Sequence, residues 1–204
     1  MKIKYLGHAC FMLTDEGKSL LIDPYKDGSV NGLRPIHVIA NKVICTHEHA
    51  DHSGVECATI LQPAEFEIQE IASWHDNQHG ALRGPNTMFV ITMGGLKIAH
   101  IGDLGCMLDD EQRAKLANLD VLMIPVGGFY TIDGKTARRV AEKLHPRVTL
   151  PMHYKTRYNA DWPISGPEEF LEGEPEEDIR REIEILRITD RDLSCQPRFA
   201  LFKA

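Results

Sequence analysis

Short runs of apolar residues separated by polar turns fill the first half of the chain. The runs at 3–6, 10–14 and 20–23 have the length of strands. Asp15-Glu16-Gly17-Lys18, between the second and third, carries the polar, glycine-bearing signature of a hairpin turn. A loop rich in Gly, Pro and Asn is expected over roughly 26–35. Residues 43–46 predict a buried strand. Residues 53–61 predict a helix, with Ser53-Gly54 at its start and Pro63 beyond its end. Strands follow at 68–74 and 87–92, and Met93-Gly94-Gly95 marks a tight turn into a strand at 96–101. The periodicity then lengthens. Residues 109–119 read as helix, 121–126 as a buried strand, 133–144 as an amphipathic helix stopped by Pro146, and 148–152 as a strand. The acidic run from Glu168 to Asp178 reads as a solvated loop and helix start. Apolar stretches at 183–188 and 199–202 close the chain.

Early strands joined by short turns must pair antiparallel, which argues against a doubly wound parallel sheet. Together with the helices that become regular later, the pattern predicts an α+β chain. Its architecture is a four-layer αββα sandwich, two sheets face to face with helices outside. The chain has 204 residues, with no repeat, low-complexity tract or linker to divide it, so a single domain over 1–204 is expected.

Composition narrows the function classes. Hydrophobic residues make up 43% and charged residues 26%, as in ordinary globular proteins. The N-terminus lacks the apolar core of a signal peptide, and no apolar run reaches the length of a membrane span. Five scattered cysteines, an odd number, point to reduced thiols in the cytoplasm. The net charge is −7, from 23 Lys plus Arg against 30 Asp plus Glu, which opposes nucleic-acid binding. A small-molecule substrate is the expected partner, no membrane is expected, and exposed apolar surface could support a homo-oligomer.

The chemistry concentrates in His47-Glu48-His49-Ala50-Asp51-His52, directly after the strand predicted at 43–46. Imidazole and carboxylate are the usual ligands of zinc and its neighbours. On an extended segment His47 and His49 point the same way. Asp51 and His52 follow where the chain turns into the next helix, so they can face a second ion. The helical zincin pattern needs a His four residues after His47, where Asp51 stands. A cysteine-based zinc ribbon fails because no two cysteines lie two or three residues apart. A dinuclear site needs further ligands from other strand ends, and His75, Asp103 and His153 occupy such positions.

The series His-x-His-x-Asp-His, a lone His, Gly-Asp and Pro-Met-His-Tyr resembles the metallo-β-lactamase superfamily. It looks most like the small zinc-dependent hydrolases of that fold, the branch that includes the ascorbate-6-phosphate lactonases. The resemblance covers nearly the whole chain. It includes Gly7-His8-Ala9-Cys10-Phe11, Leu21-Ile22-Asp23-Pro24, Arg83-Gly84-Pro85-Asn86-Thr87, His100-Ile101-Gly102-Asp103-Leu104-Gly105, Ile124-Pro125-Val126-Gly127-Gly128 and Pro151-Met152-His153-Tyr154-Lys155-Thr156. It implies that His47, His49 and His75 bind a first metal, that Asp51, His52 and His153 bind a second, and that Asp103 bridges them. Asp23 would accept a hydrogen bond from a ligand imidazole and fix its tautomer; the alternative is a turn Asp before Pro24. Position 103 is Asp rather than the Cys of one class of β-lactamases. Position 49 is His rather than the Glu of the diiron flavoprotein branch, which speaks against redox chemistry. There is no room between Asp103 and His153 for the insert of the RNA-processing branch. The chain is also shorter than the lactonases, so their phosphate-binding elements are not carried over.

The implied function is hydrolysis by a dinuclear, metal-bridged hydroxide that attacks a small-molecule ester, lactone or amide. Two divalent ions are expected, zinc first and Mn or Fe as alternatives. They would bring a shared water to a pKa of roughly 7. Asp51 would steer the hydroxide and take its proton. His8, Tyr130 and Tyr154 are candidate proton donors to the leaving group. Arg83 is a candidate for an anionic part of the substrate, and His79 for the pocket lining. His100 is expected to be structural. The competing readings are a phosphodiesterase or nuclease of the same fold, which should gather Lys and Arg at the metal edge, and a non-catalytic metal-binding descendant. The open, carboxylate-containing ligand set argues against the latter, because structural zinc sites are closed and Cys-rich.

Overall fold

The computed structural model describes residues 1–203. Strands β1 (Lys2–Gly7), β2 (Cys10–Asp15) and β3 (Lys18–Ile22) open the chain as an antiparallel meander. The predicted hairpin closes with Asp15 opposite Lys18, and Glu16 and Gly17 both take positive φ, 45° and 80°. That turn geometry matches the twist of the flanking strands. β4 (Val38–Ala40) leads to β5 (Lys42–Ile44), which runs parallel to β3, and β6 (Ala58–Ile60) pairs parallel with β4. β7 (Glu67–Trp74), β8 (Pro85–Met93) and β9 (Leu96–His100) form a second antiparallel meander. Then come α1 (Asp110–Lys115), β10 (Val121–Pro125), α2 (Gly134–Leu144), β11 (Val148–Met152), α3 (Glu168–Leu171), β12 (Ile179–Ile183), β13 (Leu186–Arg187) and β14 (Phe199–Phe202).

Two large sheets result, ordered β13-β1-β2-β3-β5 and β12-β14-β11-β10-β9-β8-β7. Their facing sides share one core. Phe11, Leu13, Leu20 and Ile22 meet Ile91, Ile98, Met123 and Leu150 there. In β10, Val121 and Met123 point into this core, while Leu122 and Ile124 point to the opposite face. This explains its unbroken apolar run, since the strand is buried on both sides. On that opposite face, Leu116, Ala137, Val140, Leu144 and Phe170 of the helical segments cover the seven-stranded sheet. α2 starts at its cap Asp133, whose side chain accepts from Thr136 N (2.8 Å), and ends at His145 in a left-handed conformation just before Pro146.

The α+β sandwich read from the sequence is therefore present. Its outer layer on the five-stranded sheet differs from the expectation at 53–61. No helix forms there. A 3-10 turn at Val55–Cys57 is followed by β6, whose Ala58, Thr59 and Ile60 pair with Val38, Ile39 and Ala40. The reason is physical. Val55, Thr59 and Ile60 are β-branched and suit a ladder better than a helix. Gly54 offers no capping side chain, and it is held against Pro24 O by its own N–H (2.6 Å). The helix expected at 109–119 is real but short, since it ends at Lys115 and Asn118 turns into the left-handed region. Among the described residues no helix is long and apolar enough to cross a membrane, and all five cysteines are free.

Candidate metal centre

Loops that follow five strands converge at one edge of the sandwich. His8 follows β1, the segment 47–52 follows β5, and His75 follows β7. Asp103 lies just beyond β9, and His153 follows β11. The chain is not extended at His47 to His49, contrary to the expectation from the sequence. It bends and turns, with His52 N donating to His49 O (2.9 Å). The turn, not the two-residue period of a strand, brings the side chains together. His47, His49 and His75 place donor atoms within 4.8 Å of one another, and so do His8, Asp51, His52 and His153. A third such group, His47, His52 and Asp103, links the two. Asp103 stands at the junction. Its Oδ2 lies 3.2 Å from Nε2 of both His75 and His153 and 4.0 Å from His47 Nε2, and its Oδ1 lies 3.3 Å from His52 Nε2.

A second layer of residues fixes the imidazoles. Asp23 is fully buried, and its Oδ2 lies 2.8 Å from His52 Nδ1. Burial would raise its carboxyl, but His52 outweighs this and holds the pKa below the usual carboxylate value. An ionised Asp23 can only accept, so His52 donates from Nδ1 and Nε2 is left to face Asp103. Thr46 extends the same logic. Its N–H and Oγ1–H both donate to Asp23 (2.7 Å each), so Oγ1 must accept from His47 Nδ1 at 3.0 Å. One carboxylate thereby orients an imidazole of each group. The sequence reading found Asp23 and missed Thr46, which stands directly before the cluster.

Asn86 and Asp76 were also missed. Asn86 Oδ1 accepts the Asp103 N–H (3.0 Å), while its Nδ2 donates to Ser73 Oγ (2.7 Å) and Ile101 O (3.0 Å). Asp76 accepts backbone N–H bonds from Gln78, Gly80, Leu82 and Arg83, at 2.7–3.0 Å, and so shapes the loop after His75. Against the effect of burial, these four donors hold its carboxyl at about 2. The signal for both was in the Trp74-His75-Asp76 and Gly84-Pro85-Asn86 stretches. Three non-glycine residues of the centre, His8, Asp23 and His153, have φ of 60°, 48° and 49°. Such strain persists only where surrounding contacts impose it, and it clusters at functional sites.

The electrostatics favour a cation. Burial disfavours charge on His52, but the Asp103 and Asp23 carboxylates outweigh it and push its pKa well above the usual value. Burial, with His52 next, lowers His47 to about 3, so its imidazole is neutral and can ligate. Asp103 stays ionised despite burial because His153 and His52 surround it. Nε2 of His47, Nε2 of His52 and Oδ1 of Asp103 are buried without a hydrogen-bond partner. Orphaned imidazole nitrogens and a carboxylate oxygen aimed at one another fit a divalent transition metal.

The remaining sequence-derived candidates divide. His8 is buried, and its Nε2 lies 3.1 Å from Asp51 Oδ2. Burial, with His153 next, lowers it to about 4. Arg83 donates to Phe129 O (3.0 Å) and lies over the Tyr130 ring, so it ties two loops together. Tyr130 in turn meets Trp162, which packs edge-on against His8. His79 lies on an exposed turn against Trp74. Tyr154 is the correction: its side chain packs in the core beneath the helices, and burial pushes its phenol up to about 12. A neighbour of His153 in sequence, it is buried largely against apolar residues, which argues against its donating a proton to a leaving group. His100 is structural, as expected: its Nε2 lies 2.9 Å from Ala9 O and its Nδ1 accepts from Gly102 N (3.2 Å).

Known proteins are similar to this chain in sequence and fold. The family model described as the beta-lactamase superfamily domain matches residues 2–153. A UPF0173 metal-dependent hydrolase from Thermococcus onnurineus is 32% identical over 208 residues, covering 83% of this chain and 90% of its own. One from Carboxydothermus hydrogenoformans is 28% identical over 201 residues, covering 80% and 87%. A crystal structure from Thermotoga maritima, described as a candidate Zn-dependent hydrolase of the metallo-beta-lactamase superfamily, is 31% identical. It superposes with a TM-score of 0.75 over 98% of this chain and 97% of that one.

Proposed function

This chain belongs to the metallo-β-lactamase superfamily and is a metal-dependent hydrolase, and from that premise we propose that it cleaves an ester, lactone or amide bond of a small molecule at a dinuclear metal centre. The observation that carries this reading is the place of Asp103, whose two oxygens lie 3.2–3.3 Å from imidazoles of both groups. His47, His49 and His75 would hold one ion and Asp51, His52 and His153 the other, with Asp103 shared. Zinc is the first choice for these donors, with Mn or Fe as alternatives. When bound, the ions supply Lewis acidity and make hydroxide available from water near neutral pH.

The chain's own residues do the rest. Asp23 and Thr46 keep the Nε2 atoms of His52 and His47 free to ligate. Asp51, the most exposed carboxylate of the centre, accepts the proton of the attacking water, and His8 holds its Oδ2 in place. His8 and Tyr130 are the remaining candidates to protonate the leaving group. The rim carries Phe129, Leu82 and Trp74 with their apolar side chains exposed, which supports a substrate with an apolar part. The free thiols support a reducing, cytoplasmic setting.

The test is turnover by metal-reconstituted protein of a panel of aryl esters, lactones and amides beside bis(p-nitrophenyl) phosphate. Ester or lactone hydrolysis that falls below detection in His49→Ala and Asp103→Ala is the expected result. Unchanged hydrolysis in either variant contradicts the mechanism, and turnover of the phosphodiester alone transfers the assignment to a phosphodiesterase.

A further inference from the structure

On one side of His8, the turn at Gly7-His8, the loop at 30–38 and the loop at 154–159 line a cavity of about 520 Å³. That size falls within the range of small-molecule sites. Of the residues that form the metal centre, only His8 reaches its wall. Its charge is unusual for this chain. Lys4, Arg34 and Lys203 line it, and no lining residue is acidic, although the chain as a whole carries −7. Among the described residues none of these three cations forms an ion pair. Unpaired cations of one sign around a concave, low-dielectric wall focus a positive potential into it.

The interior is preformed. Tyr25 donates to Arg34 O (2.8 Å) and its hydroxyl lies 3.2 Å from Leu6 O, and Tyr5 donates to His8 O (2.8 Å). Both phenols are thus committed to backbone, and what they offer a ligand is ring surface. Leu33, Ile36 and Val30 add aliphatic wall. Apolar walls with a cationic border recognise a ligand that has both characters.

We infer that this cavity is a second binding site, distinct from the metal centre, for a small organic anion with an aromatic or aliphatic body. The inference does not depend on which bond the metal centre cleaves. The probe that tests it is 8-anilinonaphthalene-1-sulfonate, an anion with fused and single rings, titrated by fluorescence into the metal-loaded protein. Its neutral congener N-phenyl-1-naphthylamine serves as the control. One saturable site is expected. The neutral congener should bind about tenfold more weakly or worse, and Lys4→Glu/Arg34→Glu should weaken the sulfonate about tenfold. All three cations are solvent-exposed, so the charge reversals leave the core untouched, as circular dichroism will verify. Should the double variant unfold, Lys203→Glu carries the same comparison. Absence of saturable binding, equal affinity for the neutral congener, or an affinity that charge reversal leaves unchanged would overturn the inference.

Discussion

The core between the sheets and the metal edge are both withdrawn from water, yet they are built by opposite means. The core is filled by Phe11, Leu13, Ile22, Ile91, Ile98 and Met123, each fully buried, on strands whose side chains alternate regularly. Burial there is favourable in itself. The edge buries Asp23, His52, His75, Asp103 and His153 to nearly the same degree, and burying such groups is costly unless they are paired. Its order comes from directed bonds instead: Asp23 to Thr46 and His52, Asn86 to Asp103, Asp76 to its loop. The core supplies stability that tolerates chemistry, and the edge places chemistry that adds little stability.

The strongest way to break this contrast is to remove the centre of the edge. Asp103→Ala should eliminate hydrolysis while the denaturation midpoint of the metal-free protein moves little. A variant that unfolds would mean that the edge holds the fold together. The converse change is Phe11→Ala. It should cost about 3–5 kcal/mol in denaturant titrations, and the fraction that stays folded should bind metal as before. Between these extremes, Asp23→Asn should weaken metal binding about 10–100-fold, read by chelator competition, because the tautomers of two ligand imidazoles lose their anchor. Thr46→Val releases only the His47 branch and should weaken binding about tenfold. The smallest effect belongs to the helical layer. Asp133→Ala removes the N-cap of α2 and should cost about 1 kcal/mol of stability with no change in hydrolysis.

The same contrast explains what could be read in the sequence. Periodic apolar runs report burial on one or both faces, so β1, β2, β3, β10 and β11 were legible to within a few residues. The candidate ligand cluster was legible because imidazoles and carboxylates crowd at strand ends, where a core has no use for them. The outer layer over the five-stranded sheet was not. Ser53-Gly54 resembles a helix start, and only the pairing of 58–60 with the distant strand at 38–40 decides otherwise. Tyr154 misled for a related reason. The strand ends at Met152 and His153 takes a left-handed conformation, so the chain turns there and sends His153 into the centre while Tyr154 packs in the core. Thr46 and Asn86 act through hydrogen bonds to partners 23 and 17 residues away, a relation no local pattern carries.

The most direct test of the account is elemental analysis of purified, untagged protein beside its Asp103→Ala variant. The account predicts close to two transition-metal ions per chain, falling in the variant. One ion or none after attempted reconstitution, or a content that the substitution leaves unchanged, would contradict a dinuclear centre built around Asp103.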